Sequence, residues 1–425
     1  MISTSRINQS DHTAASGLRL RNVARRIAIL AVIPAAAFTA YWPLRMAWAD
    51  HLSRATDAET VARAVRLSPG DADFRLKLAA ARQAAGADPT AALEAAAALD
   101  PGNADAWARL GVAAEMRGDL PAAQSRLLEA ARASRQFAPR WALANYYVRR
   151  GDAAHFWPWA RESLLLGYGD LNPIFRLCWN MSQDAGLILA RAIPLRREVL
   201  DDYVWFLMQT GRLAASEPPA AKLAALAVIE DRSILIPWCD RQLEAGPVPP
   251  ALEVWNTLCI RHVLPYAPLD PDRAPLTDGG FAASSVNGGF SWRMAPVPGV
   301  TMGRNPSPRY LWVAFSGDQP ETCIPLVQFV PVTPGASYKF HFQYHTAEIP
   351  PASGLRWSVF DARTGMDLAT ASPWLSNPDW MPSELGFTAP AAGLVRLTLT
   401  CRRLPGTTRI EGSLELRKLS LERQP

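Results

Sequence analysis

The spacing of apolar positions along this chain changes period once, near residue 280, and that change divides its architecture. Trp107, Leu110, Gly111 and Ala114 fall at i, i+3, i+4 and i+7, one stripe of a helix. Gly118-Asp119 ends that helix, Pro121 suits the first turn of the next, and Ala123 and Leu127 are spaced as its apolar pair. These markers recur. Leu67-Ser-Pro-Gly-Asp-Ala-Asp73 returns as Leu99-Asp-Pro-Gly-Asn-Ala-Asp105 after 32 residues, Trp107 as Trp141 after 34, and Gly118-Asp119 as Gly151-Asp152 after 33. A repeat of that length predicts stacked helical hairpins over residues 50–165. Helical stripes continue over 166–265, as in Tyr203, Phe206 and Leu207, then Leu252, Trp255 and Leu258, with breaks at Gly211, Pro218-Pro219 and Gly246–Pro250. Pro268, Pro271 and Pro275 mark a linker over 266–279. Beyond it the period is two: Tyr338, Phe340, Phe342 and Tyr344 alternate with Lys339, His341, Gln343 and His345. Val395, Leu397, Leu399 and Cys401 alternate with polar residues in the same way. Further strands are expected at Tyr310–Phe315, Ile324–Val330, Leu355–Phe360 and Ser413–Leu421, so 280–425 reads as an antiparallel β-sandwich.

Ahead of the repeats, Ile27 to Leu44 carries no charge over 18 residues and follows Arg25-Arg26. A helix of that length spans roughly 27 Å, enough for a hydrocarbon core. The arginines predict a cytoplasmic N-terminal tail (1–26), a membrane-spanning signal anchor over 27–46, and everything after it on the far side, as in a single-pass protein of a bacterial inner membrane. Ala47-Trp48-Ala49 offers a competing reading, a signal peptide cleaved after Ala49.

The unit from Leu99 to Arg132 resembles the tetratricopeptide (TPR) repeat through Trp107-x2-Leu110-Gly111, Ala123, Leu127 and Pro101. That resemblance implies an α-solenoid with a groove for a protein partner, in which Asn103, Arg109, Asn145 and Arg149 are the expected contacts. The C-terminal region resembles jelly-roll carbohydrate-binding modules, on Gly279-Gly280-Phe281, Gly288-Gly289-Phe290 and Val330-Pro-Val-Thr-Pro-Gly-Ala-Ser-Tyr338. The likeness implies a glycan ligand, recognised by flat aromatic faces and polar side chains. Trp292, Trp374 and Trp380 are expected on loops at a sheet edge and Lys339, His341, Gln343 and Arg356 on a solvent face, whereas Trp312 and Trp357 are assigned to the core. The fold class is thus multi-domain α + β: an N-terminal transmembrane helix, an α-solenoid of TPR-like hairpins and a jelly-roll sandwich.

Charge and reactive residues narrow the function further. Of the net charge of +5, +4 lies in residues 1–26, so the remaining chain offers no basic field for nucleic acid. Five cysteines, with no Cys-x2-Cys pair, give neither a zinc knuckle nor a dense disulfide framework. Cys323 and Cys401 could bridge if the sandwich lies outside the cytoplasm, but the favoured reading is two small buried hydrophobes. No nucleophile-elbow, zinc-protease, P-loop or dinucleotide-binding motif occurs, and His341 and His345 are roughly 13 Å apart along one strand, too far to share a metal. No cofactor, metal or catalytic residue is therefore expected. The reading is an envelope scaffold that binds a protein and a polysaccharide, with a glycan hydrolase or lyase, or a purely structural assembly factor, as alternatives.

Overall fold

The computed structural model describes residues 35–425, which form two compact units divided between Leu166 and Gly167. In the first unit, residues 35–53 form helix α1, followed by α2 (Ala58–Leu67), α3 (Ala72–Ala84), α4 (Thr90–Leu99), α5 (Ala104–Met116), α6 (Leu120–Ala133), α7 (Phe137–Arg150) and α8 (Ala153–Leu166). Helices α3/α4, α5/α6 and α7/α8 pack as three successive hairpins, a solenoid-like array. Local chemistry sets several of the starts. Asp71, Asn103 and Asp119 accept backbone N–H bonds from the first turns of α3, α5 and α6. Between α5 and α6, Gly118 takes a positive φ of 81° that suits glycine, and the repeated Gly151 does the same at 65° after α7. The close approach of α5 and α6 depends on Gly111: a Cβ there would lie 2.6 Å from Leu127 Cγ. Trp107 is a packing residue, its indole donating to the Pro101 carbonyl at 3.0 Å and its ring covered by Arg126 at 5.2 Å.

The expected membrane span starts at 27, so the tail 1–26 and residues 27–34 lie outside the described residues. Among those that are described, no helix is long and apolar enough to cross a membrane. The final turns of α1 bury Ala49 against Ala64 and Phe74, while Phe38, Tyr41, Trp42 and Leu44 remain exposed.

The second unit begins with α9 (Asn172–Met181), α10 (Ala185–Arg191), α11 (Arg197–Gln209), α12 (Glu217–Leu226), α13 (Arg232–Ala245) and α14 (Val248–Ile260). Phe175, Tyr203 and Phe206 interlock in its core, and Trp238 and Trp255 are fully buried. This bundle is fastened to the sandwich that follows. Trp255 stacks on Tyr266 and meets Phe290 edge-on. Asp240 accepts from the Gly289 N–H at 2.7 Å and pairs with Arg293 at 2.5 Å. Burial raises the Asp240 pKa and lowers that of Arg293, so desolvation opposes the pair and each charge needs the other. The proline-punctuated stretch is pinned as well: Tyr338 donates its hydroxyl to the Pro271 carbonyl, and Asp272 binds Thr333 and Arg423.

Ten antiparallel strands build two five-stranded sheets. One has the order β1 (Arg293–Met294), β4 (Thr322–Pro331), β9 (Leu394–Arg402), β6 (Leu355–Asp361), β7 (Asp367–Thr370). The other runs β2 (Val300–Pro306), β3 (Arg309–Ser316), β10 (Glu411–Arg423), β5 (Ser337–Ala347), β8 (Met381–Thr388). Every strand expected from two-residue alternation is present. The inner faces meet in one core containing Leu311, Val313, Phe340, Phe342, Trp357, Leu397 and Leu416. Each large apolar side chain fully buried there stabilises the fold by about 2 kcal/mol before the entropy of ordering it is counted.

Two substitutions test these joints by chemical denaturation. Gly111→Val overpacks the α5–α6 contact and should cost about 2 kcal/mol. Asp240→Asn leaves the Arg293 charge half-buried without its partner and should cost about 2 kcal/mol, discounted for partial exposure.

Candidate binding faces

The alternation of β5 places Lys339, His341, Gln343 and His345 on the outer face of the β2–β3–β10–β5–β8 sheet, opposite the buried Tyr338, Phe340, Phe342 and Tyr344. Register aligns rows across that face. Gly303, Trp312, Glu415 and His345 lie in one row; Asn305 and Tyr310 are opposed in the next, as are Arg417 and Gln343. Trp312 therefore does not belong to the core assigned to it from sequence: Leu311, Val313 and Phe315 point inward, and Trp312 between them points out. Gly303 makes room for its ring, since a Cβ there would meet the indole at 2.5 Å.

Trp380, just before β8, closes one side of the cluster. The Arg417 guanidinium lies 3.8 Å from its ring centroid, His345 5.8 Å away, and Tyr310 meets it edge-on at 6.3 Å. Arg417 Nε also donates to Gln343 Oε1 at 3.0 Å, which holds the guanidinium over the indole. Directly after Arg417 the register with β5 shifts, with Lys418 at a positive φ of 53°, so a bulge re-aims β10 beside the cluster. Carboxylates lie beside several of the basic side chains on this face. His345 Nδ1 is 3.6 Å from Glu415, and Lys339 is 2.8 Å from Glu384, which it holds below the usual carboxylate pKa. His341 lies between Glu384 and Glu422, at 3.6 and 3.9 Å.

The aromatic set expected from sequence is divided by the fold. Trp380, Lys339, His341 and Gln343 share the face just described. Arg356 and Trp374 pair with each other at 4.6 Å on the opposite sheet, because Trp357 and Val359 point into the core and turn Arg356 outward. Trp292, expected at an exposed edge, is instead 2% exposed and packed between Phe281 and Trp357, so it belongs to the core. Tyr310, Glu415 and Arg417 carry no assignment from sequence and Trp312 is assigned there to the core, although Leu311, Val313, Leu414 and Leu416 in alternation carry the signal that turns all four outward.

In the first unit, a cavity of about 650 Å³ opens between the end of α3, the Gly86–Pro89 turn and α5. Arg109, Val112 and Met116 line it, with Leu93 at its base, and Met116 is 78% exposed. Arg109 lines this cavity and is held at 2.9 Å by Asp105 one turn earlier. Its three companions are engaged elsewhere. Asn103 caps α5, the Asn145 amide donates to Trp141 O in its own helix, and Arg149 forms a two-point pair with Glu115 at 2.6 and 2.8 Å, which raises its pKa. Among the described residues no cluster of His, Cys, Asp and Glu has the geometry of a metal site.

No family model and no curated protein match the chain. Solved structures similar to it include a CBM4 module (13% identity, 35% of this chain and 98% of that one, TM-score 0.27). They also include TmCBM61 in complex with β-1,4-galactotriose (17% identity, 36% and 100%, TM-score 0.26). A third is YrrB, described as a TPR protein with an unusual peptide-binding site (17% identity, 48% and 99%, TM-score 0.29). At this level of similarity the functional reading rests on the side chains themselves.

Gly303→Val should push the Trp312 ring off β2 while leaving the sandwich folded. The expected outcome is a displaced Trp312 indole N–H resonance by NMR with the far-UV circular dichroism unchanged.

Proposed function

We propose that this chain is a binding scaffold in which the outer face of the β2–β3–β10–β5–β8 sheet takes a neutral glycan and the α3–α5 groove takes a segment of a protein partner. The observation that carries the glycan reading is the grouping of Trp312, Tyr310 and Trp380 with Arg417, Gln343, His345 and Glu415 on one open sheet face. Aromatic rings supply flat apolar area for the faces of sugar rings, and the interleaved donors and acceptors suit hydroxyl groups. Lys339 is already paired with Glu384, and the Arg417 guanidinium is taken up by Trp380 and Gln343, which favours a neutral ligand over a polyanion. Glu384, kept ionised by Lys339, is poorly suited to donate a proton to a glycosidic oxygen, which favours binding over hydrolysis.

The groove reading rests on the apolar lining of Leu93, Val112 and Met116, suited to a short apolar segment. We further propose that residues 27–46 tie the chain to a bacterial inner membrane, with the tail cytoplasmic and both units on the other side. The uncharged run behind Arg25-Arg26 and the exposed Phe38, Tyr41, Trp42 and Leu44 support that placement, which would put the glycan face where exopolysaccharide or envelope polymers are assembled.

Affinity electrophoresis of the full chain against a panel of neutral and acidic polysaccharides tests the glycan reading. Trp312→Ala and Trp380→Ala should each weaken binding about 10-fold, on the scale of one lost aromatic stack, while Trp374→Ala on the opposite sheet leaves it unchanged. Equal loss in all three, or no binding to any polymer, would refute it.

A further inference from the structure

Cys323 and Cys401 are direct register partners on the adjacent antiparallel strands β4 and β9. Residues opposed in this way present their side chains to the same face with Cβ atoms about 5 Å apart, and their Cα separation of about 4.5–5.5 Å falls inside the range a disulfide spans. Here that face is the interior: both thiols belong to the sandwich core, 7% and 3% exposed. The pair sits at the end of its ladder. Thr322 and Arg402 oppose each other one step outward, Arg403 N–H donates to Glu321 O at 2.7 Å, and the Arg403–Glu321 ion pair at 2.6 Å closes the edge. On the other side of Cys323 the register shifts before Leu326, so the pair is set off from the regular part of the ladder.

We propose that Cys323 and Cys401 are a disulfide-forming pair that covalently staples β4 to β9 when the sandwich meets an oxidising compartment. The chemistry is thiol–disulfide exchange with a small disulfide oxidant such as glutathione disulfide. The Cys323 thiolate attacks one sulfur of the oxidant and expels one thiolate, leaving a mixed disulfide on Cys323. Cys401 then gives up its proton and attacks the Cys323 sulfur, expelling the second thiolate. Two protein thiols and one external disulfide become one protein disulfide and two external thiols, so no other electron acceptor is needed. The order follows the environment. The Cys401 thiol hydrogen-bonds to Cys323 and lowers its pKa, while that same contact raises Cys401. The other three cysteines lie in the helical bundle, in α9, α13 and α14. Burial there pushes the Cys178 and Cys259 thiols up to about 12, which makes them poor nucleophiles.

The staple closes a long loop between two central strands of one sheet, the arrangement from which a crosslink constrains the unfolded chain most. It stands independently of what the sheet face binds.

The test uses the full chain, reduced and then equilibrated in glutathione disulfide, alkylated with iodoacetamide and digested with trypsin without reduction. The expected result is a crosslink between the peptides Tyr310–Lys339 and Leu397–Arg402, lighter by two hydrogens than their sum. It should be accompanied by a Tm about 10 °C above that of the reduced protein. Cys401→Ser should abolish both changes and Cys259→Ser neither. So that burial of the thiols cannot conceal the answer, the same digest is made after unfolding and refolding in the oxidising buffer. Recovery of Cys323 and Cys401 as unlinked or singly glutathionylated residues in a refolded chain with native circular dichroism would overturn the proposal.

Discussion

Strand β5 is hydrogen-bonded on both sides, to β10 and to β8, and its two-residue alternation commits every other position at once. Tyr338, Phe340, Phe342 and Tyr344 enter the core, where Phe340 meets Trp357 edge-on. Lys339, His341, Gln343 and His345 leave it. A slip of one residue would exchange the two sets, which ties the register of the binding face to the packing of the interior. The same strand anchors what precedes the sandwich, through the Tyr338 hydroxyl on Pro271. Core, face and attachment of the helical bundle thus share one constraint.

Both candidate faces use positions that packing leaves free. In the helical array, Trp107, Leu110, Gly111 and Leu127 hold α5 against α6, so Arg109, Val112 and Met116 on the other side of α5 are left to line the groove. On the sheet, the inward Leu414 and Leu416 hold β10 in register, leaving Glu415 and Arg417 on the outer face. The bulge after Arg417 lets Leu419 and Leu421 return to the core although their spacing from Leu416 breaks the alternation.

The elements were legible because each carries a clean period. The 33-residue recurrence of Gly-Asp marks the hairpin turns, and strict alternation over 338–345 marks β5. What sequence alone did not disclose is how strands distribute between sheets. Arg356 and Gln343 look equivalent as polar residues in alternating strands, yet β6 and β5 belong to different sheets, so the two side chains face opposite ways. Trp292 is polar-flanked in sequence but is drawn into the core by Phe281 and Trp357, contacts from distant parts of the chain. Tryptophan in a strand is most often core, yet Trp312 points outward because its neighbours Leu311 and Val313 take the inward positions. Helix caps deceive similarly, since Asn103 reads as a free polar residue until its bond to the Ala106 N–H is seen.

The proposed glycan would meet one surface, the aromatic and polar cluster around Trp380 and Trp312. The most direct measurement is an NMR titration of the assigned indole N–H groups with a neutral oligosaccharide drawn from a polymer the full chain retains. Saturable shifts at Trp312 and Trp380, with Trp374 and the buried Trp292 and Trp357 unmoved, are the predicted result. Shifts centred on Trp374, or none at the sheet cluster while the sugar is bound, would contradict it.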